Sequence, residues 1–292
     1  MGQFKVIGLG ELLWDMLDEG RQMGGAPANF AFHAASLGAD SVVASRIGTD
    51  PLGNELLQKL NTLKLPTAYI QKDTHHPTGT VTIDLDKKGI PSYKIHENVA
   101  WDYIEPTESL LYLAFNCDAV CFGSLAQRND DSANTIQTFL SNVKPDCLKI
   151  FDINLRQNYY SKNIIGDSLY LCDILKLNDE ELPVIKKLFD IAGNETQSLA
   201  EITTRFKLKL IALTKGADGS LLYTTTKQSM RKSDPVKIVD TVGAGDSFTA
   251  ALAMGLLKNM NLEEINEHAN KIAAFVCSKA GATCPLDKSL LF

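Results

Sequence analysis

No uninterrupted apolar run in this chain is long enough to cross a bilayer. The opening Met1-Gly2-Gln3-Phe4-Lys5 also lacks the charged segment, apolar stretch and cleavage site of a secretory leader. These absences predict a cytoplasmic protein with no membrane partner. Histidine is scarce, at five residues, and only His75 and His76 are adjacent. None of the six cysteines (Cys117, Cys121, Cys147, Cys172, Cys277 and Cys284) forms a Cys-x-x-Cys pair. Zinc-ligand spacing is therefore missing, and buried thiols in a reducing compartment are expected in place of a disulfide framework. Nor is there a basic stripe: 29 Lys and Arg stand against 35 Asp and Glu, a formal net charge of -6. A nucleic-acid partner would lack its usual electrostatic footprint.

Two nucleotide motifs are missing as well. No Gly-x-x-x-x-Gly-Lys-Ser/Thr occurs, which excludes a P-loop kinase. Gly8-Leu9-Gly10 lacks the third glycine of a dinucleotide fingerprint, because position 13 is Leu13.

What is present is an alternation of short apolar runs with helical patterns. Strands are expected at Val6–Leu9, Ser41–Ser45, Ala119–Phe122, Lys149–Ile153, Ile174–Leu177 and Leu210–Thr214. Helices are expected at Asn29–Leu37, Gly53–Leu63, Ser132–Asn142, Asp179–Phe189 and Ser198–Phe206, where apolar residues recur at three and four. That order predicts an α/β fold, a mostly parallel sheet with helices on both faces, in one domain spanning 1–292. One region departs from it. Thr80 to Asp86 alternates polar with apolar, Lys87-Lys88-Gly89 makes a turn, and Pro91 to Ile95 returns. A half-wet hairpin belongs outside a doubly covered sheet. It predicts a small antiparallel lid built from about 11–20 and 78–100, with the hairpin pairing against Leu12–Leu17.

The segment richest in chemistry is Gly243-Ala244-Gly245-Asp246, just ahead of a helix of small and apolar residues. Three small residues there leave backbone N–H groups unobstructed at the positive end of a helix, which makes an anion site. Asp246 in that place is either a helix-start residue or a base. A capping aspartate does not need Gly-Ala-Gly before it. A carboxylate beside an anion hole suits phosphoryl transfer to a hydroxyl.

Asp240-Thr241-Val242-Gly243-Ala244-Gly245-Asp246-Ser247-Phe248 resembles the C-terminal signature of the ribokinase-like (PfkB) carbohydrate kinases. Gly24-Gly25-Ala26-Pro27-Ala28-Asn29, followed by Leu37-Gly38 and Ile47-Gly48-x-Asp50-x-x-Gly53, resembles the N-terminal one. Phe151 to Arg156, Asn178 to Glu181 and Thr214 to Gly219 are similar to further family segments, in the family's order. The resemblance implies an ATP- and Mg²⁺-dependent sugar kinase with a ribokinase-like fold. It makes Asp246 the base and the amides of Gly243, Ala244 and Gly245 the anion hole, with Arg156 near the phosphoryl or the sugar. Asp15, Gly25 and Asn29 would hold the sugar. Asn178 and Glu181 would position Mg²⁺ largely through water, although by pattern alone Glu181 reads as a solvated helix-surface charge. Thr214, Gly216 and Gly219 would form the nucleotide turn; otherwise they are a glycine-rich strand connection. The family's monovalent-cation site, near Asp240, Val242 and Gly281, is left open here. Ser278-Lys279-Ala280-Gly281-Ala282 departs from the commoner Thr-Arg-x-Gly-Ala, so K⁺ is left open with it.

The sugar segments look like those of fructokinases. Fructose is the expected acceptor, with ribose, 2-keto-3-deoxygluconate, tagatose and nucleosides as alternatives. A non-catalytic sugar sensor on the same fold is the alternative of a different class. A homodimer paired through the lid edge is left open.

Overall fold

The computed structural model describes residues 3–17, 20–85 and 91–291. Its chain order is β1 (Lys5–Leu9), β2 (Leu13–Leu17), β3 (Gly20–Gly24), α1 (Ala26–Ser36), β4 (Asp40–Gly48) and α2 (Pro51–Thr62). Next come β5 (Ile70–Asp73), β6 (Gly79–Leu85), β7 (Pro91–Ile95), α3 (Glu108–Asn116), β8 (Ala119–Phe122) and α4 (Asp130–Ser141). They are followed by β9 (Leu148–Asp152), α5 (Lys162–Leu171), β10 (Ile174–Asn178), α6 (Glu181–Phe189), α7 (Glu195–Phe206) and β11 (Leu210–Thr214). The chain ends with β12 (Ser220–Tyr223), β13 (Gln228–Arg231), α8 (Ala244–Leu257) and α9 (Leu262–Cys277). Every strand and helix expected from the pattern is there, within a few residues at its ends.

Nine strands form the large sheet in the order β13-β12-β11-β10-β9-β8-β1-β4-β5. All pairs from β11 across to β5 are parallel, and β12 and β13 add an antiparallel edge. Alternate residues of one strand serve opposite cores. Val6 of β1 packs with α1, α8 and α9, whereas Ile7 packs with α3, α4 and α5. Both faces are dry, so these strands read as unbroken apolar runs such as Ala119-Val120-Cys121-Phe122.

From β1 the chain builds outward through β4 and β5, then returns to β8 on the other side of β1. The direction of winding thus reverses between β1 and β8. In open α/β sheets ligands bind outside the carboxyl ends of the strands at such a reversal. Glu11 follows β1 there, and Gly123-Ser124 follows β8.

The second sheet, β3-β2-β6-β7, comes from the segments expected to make a lid. Its β2–β3 and β6–β7 pairs are antiparallel, as a hairpin requires. The β2–β6 pair is parallel, which corrects the expectation of an all-antiparallel flap. The two strands are joined through α1, β4, α2 and β5, and that long connection lets them run the same way. The expected turn at Lys87-Lys88-Gly89 lies outside the described residues. Trp14 Nε1 donates to Leu52 O at 3.0 Å, and Tyr159 Oη donates to Ile95 O at 3.2 Å, so β2 and β7 are each tied to the main body.

Candidate active site

At the reversal point the strand ends bring together side chains from distant parts of the sequence. Asn29 Nδ2 donates to Asp246 Oδ2 at 2.8 Å, joining residues 217 positions apart. The contact requires α1 and α8 to meet, and small residues allow it. Any side chain on Gly8 would collide with the carbonyl of Pro27, so α1 lies directly on β1. Neither residue is the helix start it resembled: Gly25 precedes α1 and Gly243 precedes α8, each without a side-chain cap. Asp246 occupies the first turn of α8, where the helix dipole favours an anion.

Gly243 has φ 79°, and a Cβ there would stand 2.7 Å from Ala282 Cα. Only glycine makes this left-handed turn while packing against residue 282. His33 Nε2 lies 2.8 Å from Ala282 O. Burial pushes the His33 pKa down to about 4, so at neutral pH the ring is uncharged and its Nε2–H is the donor.

Burial also raises the Asp246 pKa. Asp152 pushes it further up, against the lowering effects of Asn29, Lys176 and Arg156, and it stands at about 6. A carboxyl so placed is ionised at neutral pH yet more basic than an ordinary aspartate. Glu11 is 2% exposed and pushed up to about 7, chiefly by burial. Its Oε2 is without a hydrogen-bond partner. Asp15, on β2, is raised by burial and pulled back by Arg156. The Arg156 guanidinium acts on Glu11, Asp15 and Asp246 together, although its one hydrogen bond among the described residues is from Nη1 to Leu155 O. Asn154 (φ 42°) and Gln157 (φ 48°) hold left-handed backbone on either side of it. Such paired departures cluster where a loop aims a functional side chain.

Glu181 is not a solvated surface charge. It is 6% exposed, with Oε1 accepting from Leu155 N at 2.9 Å and Oε2 from Asn178 N at 2.8 Å. Burial raises its pKa, and Lys176 opposes the rise. Asn178 Oδ1 accepts from the amides of both Glu180 and Glu181. With these oxygens already holding backbone, the pair fits a hydrated Mg²⁺ touched through water better than a directly ligated ion. No group of three or more His, Cys, Asp or Glu among the described residues could hold a metal by itself.

Thr214 ends β11, Gly216 (φ 53°) opens a short 3₁₀ turn, and Gly219 (φ 93°) lets the chain pass the backbone of Arg231. That turn explains both glycines structurally. Asp240 acts through its side chain: Oδ1 accepts from Val242 N at 3.0 Å and Oδ2 from Gly281 N at 3.0 Å. It ties the segment before the anion turn to the loop after α9. Val236, Ile238, Val239 and Val242 are exposed along that segment.

Two residues escaped the sequence reading. Asp152 and Lys176 are 4% and 7% exposed and form an ion pair at 3.0 Å. Asp152 lay inside a recognised segment, but no local pattern marks Lys176, a lysine in a strand. Only its burial sets it apart. A cavity of about 460 Å³ lies elsewhere, around Arg46, His76 and Tyr103. Arg46 is held there by Asp73 at 3.0 Å and Glu105 at 2.6 Å.

Residues 10–289 match the pfkB family of carbohydrate kinases. A sugar kinase from Pyrococcus horikoshii is 30% identical over 296 residues, 95% of this chain and 91% of that protein. A crystal structure of that kinase in complex with ATP superposes with a TM-score of 0.82, at 28% identity, over 96% of this chain and 94% of its own. A fructokinase from Klebsiella pneumoniae is 31% identical over 264 residues, 86% of this chain and 84% of that enzyme. The chain belongs to the pfkB family of carbohydrate kinases and is a sugar phosphotransferase.

Proposed function

We propose that the enzyme transfers the γ-phosphoryl of ATP to the 6-hydroxyl of D-fructose, with Asp246 as the base. The observation that carries this reading is the Asn29–Asp246 contact at the start of α8. It supports a basic, partly desolvated carboxylate beside the turn whose amides would hold a phosphoryl oxygen, the Ala244 N–H giving up its long contact with Thr241 O at 3.3 Å. Asp246 takes the proton of the attacking hydroxyl. The N–H groups of Gly243, Ala244 and Gly245 hold charge on the phosphoryl. Asp15 and Asn29 fix sugar hydroxyls near Gly25, and Arg156 closes the site from the β9 loop. Thr214, Gly216 and Gly219 cradle the nucleotide, whose flat apolar base suits the exposed valines and isoleucine ahead of the turn. Mg²⁺ would be held by Asn178 and Glu181 through water, and when bound it neutralises phosphate charge. Asp240 organises the place where Val242 and Gly281 would present carbonyls to a monovalent cation. The lid, made of β2, β3, β6 and β7, closes over the sugar within the single domain.

Fructose is preferred because fructokinases are among the relatives and because Pro27 and Phe30 occupy the second sugar segment. Proline there sets the backbone at the first turn of α1, and Phe30 anchors that helix in the core with Val6 and Phe248. The test is kcat/KM for fructose, ribose and 2-keto-3-deoxygluconate under one set of conditions. Fructose should lead. A competitor ahead by more than about tenfold, roughly 1.4 kcal/mol in transition-state stabilisation, overturns the choice of sugar and leaves the kinase intact.

A further inference from the structure

Lys176 is a buried ammonium with more donors than the protein uses. It is the third residue of β10, and its Nζ donates to Asp152 Oδ1 at 3.0 Å. That is its one hydrogen bond among the described residues, and an ammonium has three N–H bonds. Buried donors are normally matched, so two without a protein acceptor point to a further acceptor.

The surroundings say where that acceptor lies. A Cβ added to Gly245 would stand 2.9 Å from Lys176 Nζ and 3.8 Å from its Cε. The ammonium thus borders the backbone of the anion turn, and only a residue without a side chain leaves it uncovered. Asp152 holds the lysine from behind. Its Oδ2 accepts from Thr249 Oγ1 at 2.8 Å, and Thr249 Oγ1 also lies 2.9 Å from Gly245 O. One small network therefore fixes lysine, aspartate and turn together.

The lysine is held as an ammonium by its ion pair with the Asp152 carboxylate at 3.0 Å. Cys121 on β8 also lies within reach of this ammonium, and burial keeps its thiol neutral.

We propose that Lys176 is a catalytic residue: its ammonium, braced by Asp152, contacts the transferring phosphoryl group over the Cα of Gly245. The proposal rests on the kinase reading of this site. In the step concerned, the sugar hydroxyl oxygen forms a bond to Pγ while the bond from Pγ to the bridging oxygen breaks. The bond's electron pair leaves with ADP, and the hydroxyl proton passes to Asp246. Negative charge on the phosphoryl oxygens then meets Lys176 together with the three amides. The same ammonium lowers the proton affinity of Asp246 and keeps the base ionised.

The test compares wild type, Lys176→Met, the double variant Asp152→Asn with Lys176→Met, and Asp246→Asn. Lys176→Met alone leaves Asp152 buried without its partner, whereas the double variant removes both charges and should melt near wild type. Its kcat should fall by about 10² to 10³-fold, with little change in the KM for sugar. Asp152 raises and Lys176 lowers the Asp246 pKa. The acid limb of the double variant should therefore stay near that of wild type, and the limb of Lys176→Met should move to higher pH. A folded double variant with kcat within about threefold of wild type overturns the proposal.

A second measurement uses the unaltered protein. The ¹⁵Nζ resonance of Lys176 should shift on adding ADP with aluminium fluoride, a phosphoryl mimic, and not with ADP alone. An unmoved resonance at saturating mimic also overturns the proposal. If wild type phosphorylates no sugar, the kinase reading fails first. If wild type is active, Asp246→Asn is inactive and the double variant retains kcat, only the assignment of Lys176 fails.

Discussion

The two sheets of this molecule answer different demands. The nine-stranded sheet is covered on both faces, and its strand ends carry Glu11, Asp152, Asn178 and Thr214 as fixed points. The four-stranded sheet buries Leu13, Val81 and Ile95 on one face and Trp14 and Met23 on the other, while Arg21, Gln22 and Tyr93 on its outer strands face solvent. A site on rigid strand ends keeps its geometry between turnovers, whereas a small sheet with exposed outer strands can shift at modest cost.

The largest effects should come from the covered sheet. Phe151 of β9 is fully buried and stacks on Phe122 with ring centroids 5.2 Å apart. Phe151→Ala should cost about 3–5 kcal/mol in denaturant unfolding, from lost burial plus the cavity left behind. A loss under 1 kcal/mol would mean that this region is not the rigid frame described here.

Next in size is Asp246, the proposed base. Asp246→Asn should lower kcat by at least ~10²-fold with ATP affinity retained, because the amide keeps the shape but cannot take the proton. The same variant should be no less stable at pH 7. The raised pKa means that folded protein holds this proton more tightly than unfolded protein. Its stabilising effect is full below the ordinary carboxylate range and lost as pH rises through about 6. Asparagine escapes that loss. Near-normal turnover would remove Asp246 as base, and a sharply lowered Tm would make its role structural.

The same carboxyl should set the pH profile. In wild type, kcat/KM should fall as pH drops through about 6, where Asp246 gains its proton. A profile flat down to pH 5 would separate the group seen here from the catalytic step.

The smallest effects belong to the four-stranded sheet. Tyr93 is 59% exposed, and Tyr93→Ala should change global stability by no more than about 0.5 kcal/mol. Amide exchange in β6 and β7 should nevertheless slow when sugar is added. Unchanged exchange at saturating sugar would make this sheet a fixed ornament.

The sequence by itself determined the strand runs, the helices, the half-wet hairpin and the Gly243-Ala244-Gly245-Asp246 turn. Each of these is a local matter: side-chain period, backbone freedom and unobstructed amides are set by residues a few positions apart. The tertiary structure alone decided the rest. It made β2 and β6 parallel, because the chain between them is long enough to return to the same end. It brought Asn29 to Asp246 across 217 positions and buried Glu181, which looks like a surface charge on its own helix. It also left Lys176 beneath Gly245 with two N–H bonds unmatched by protein. Desolvation and long-range contact have no local pattern in the sequence. An acid or an ammonium acquires its chemistry from what surrounds it, and here those surroundings come from β1, β9, β10, α1 and α8 together.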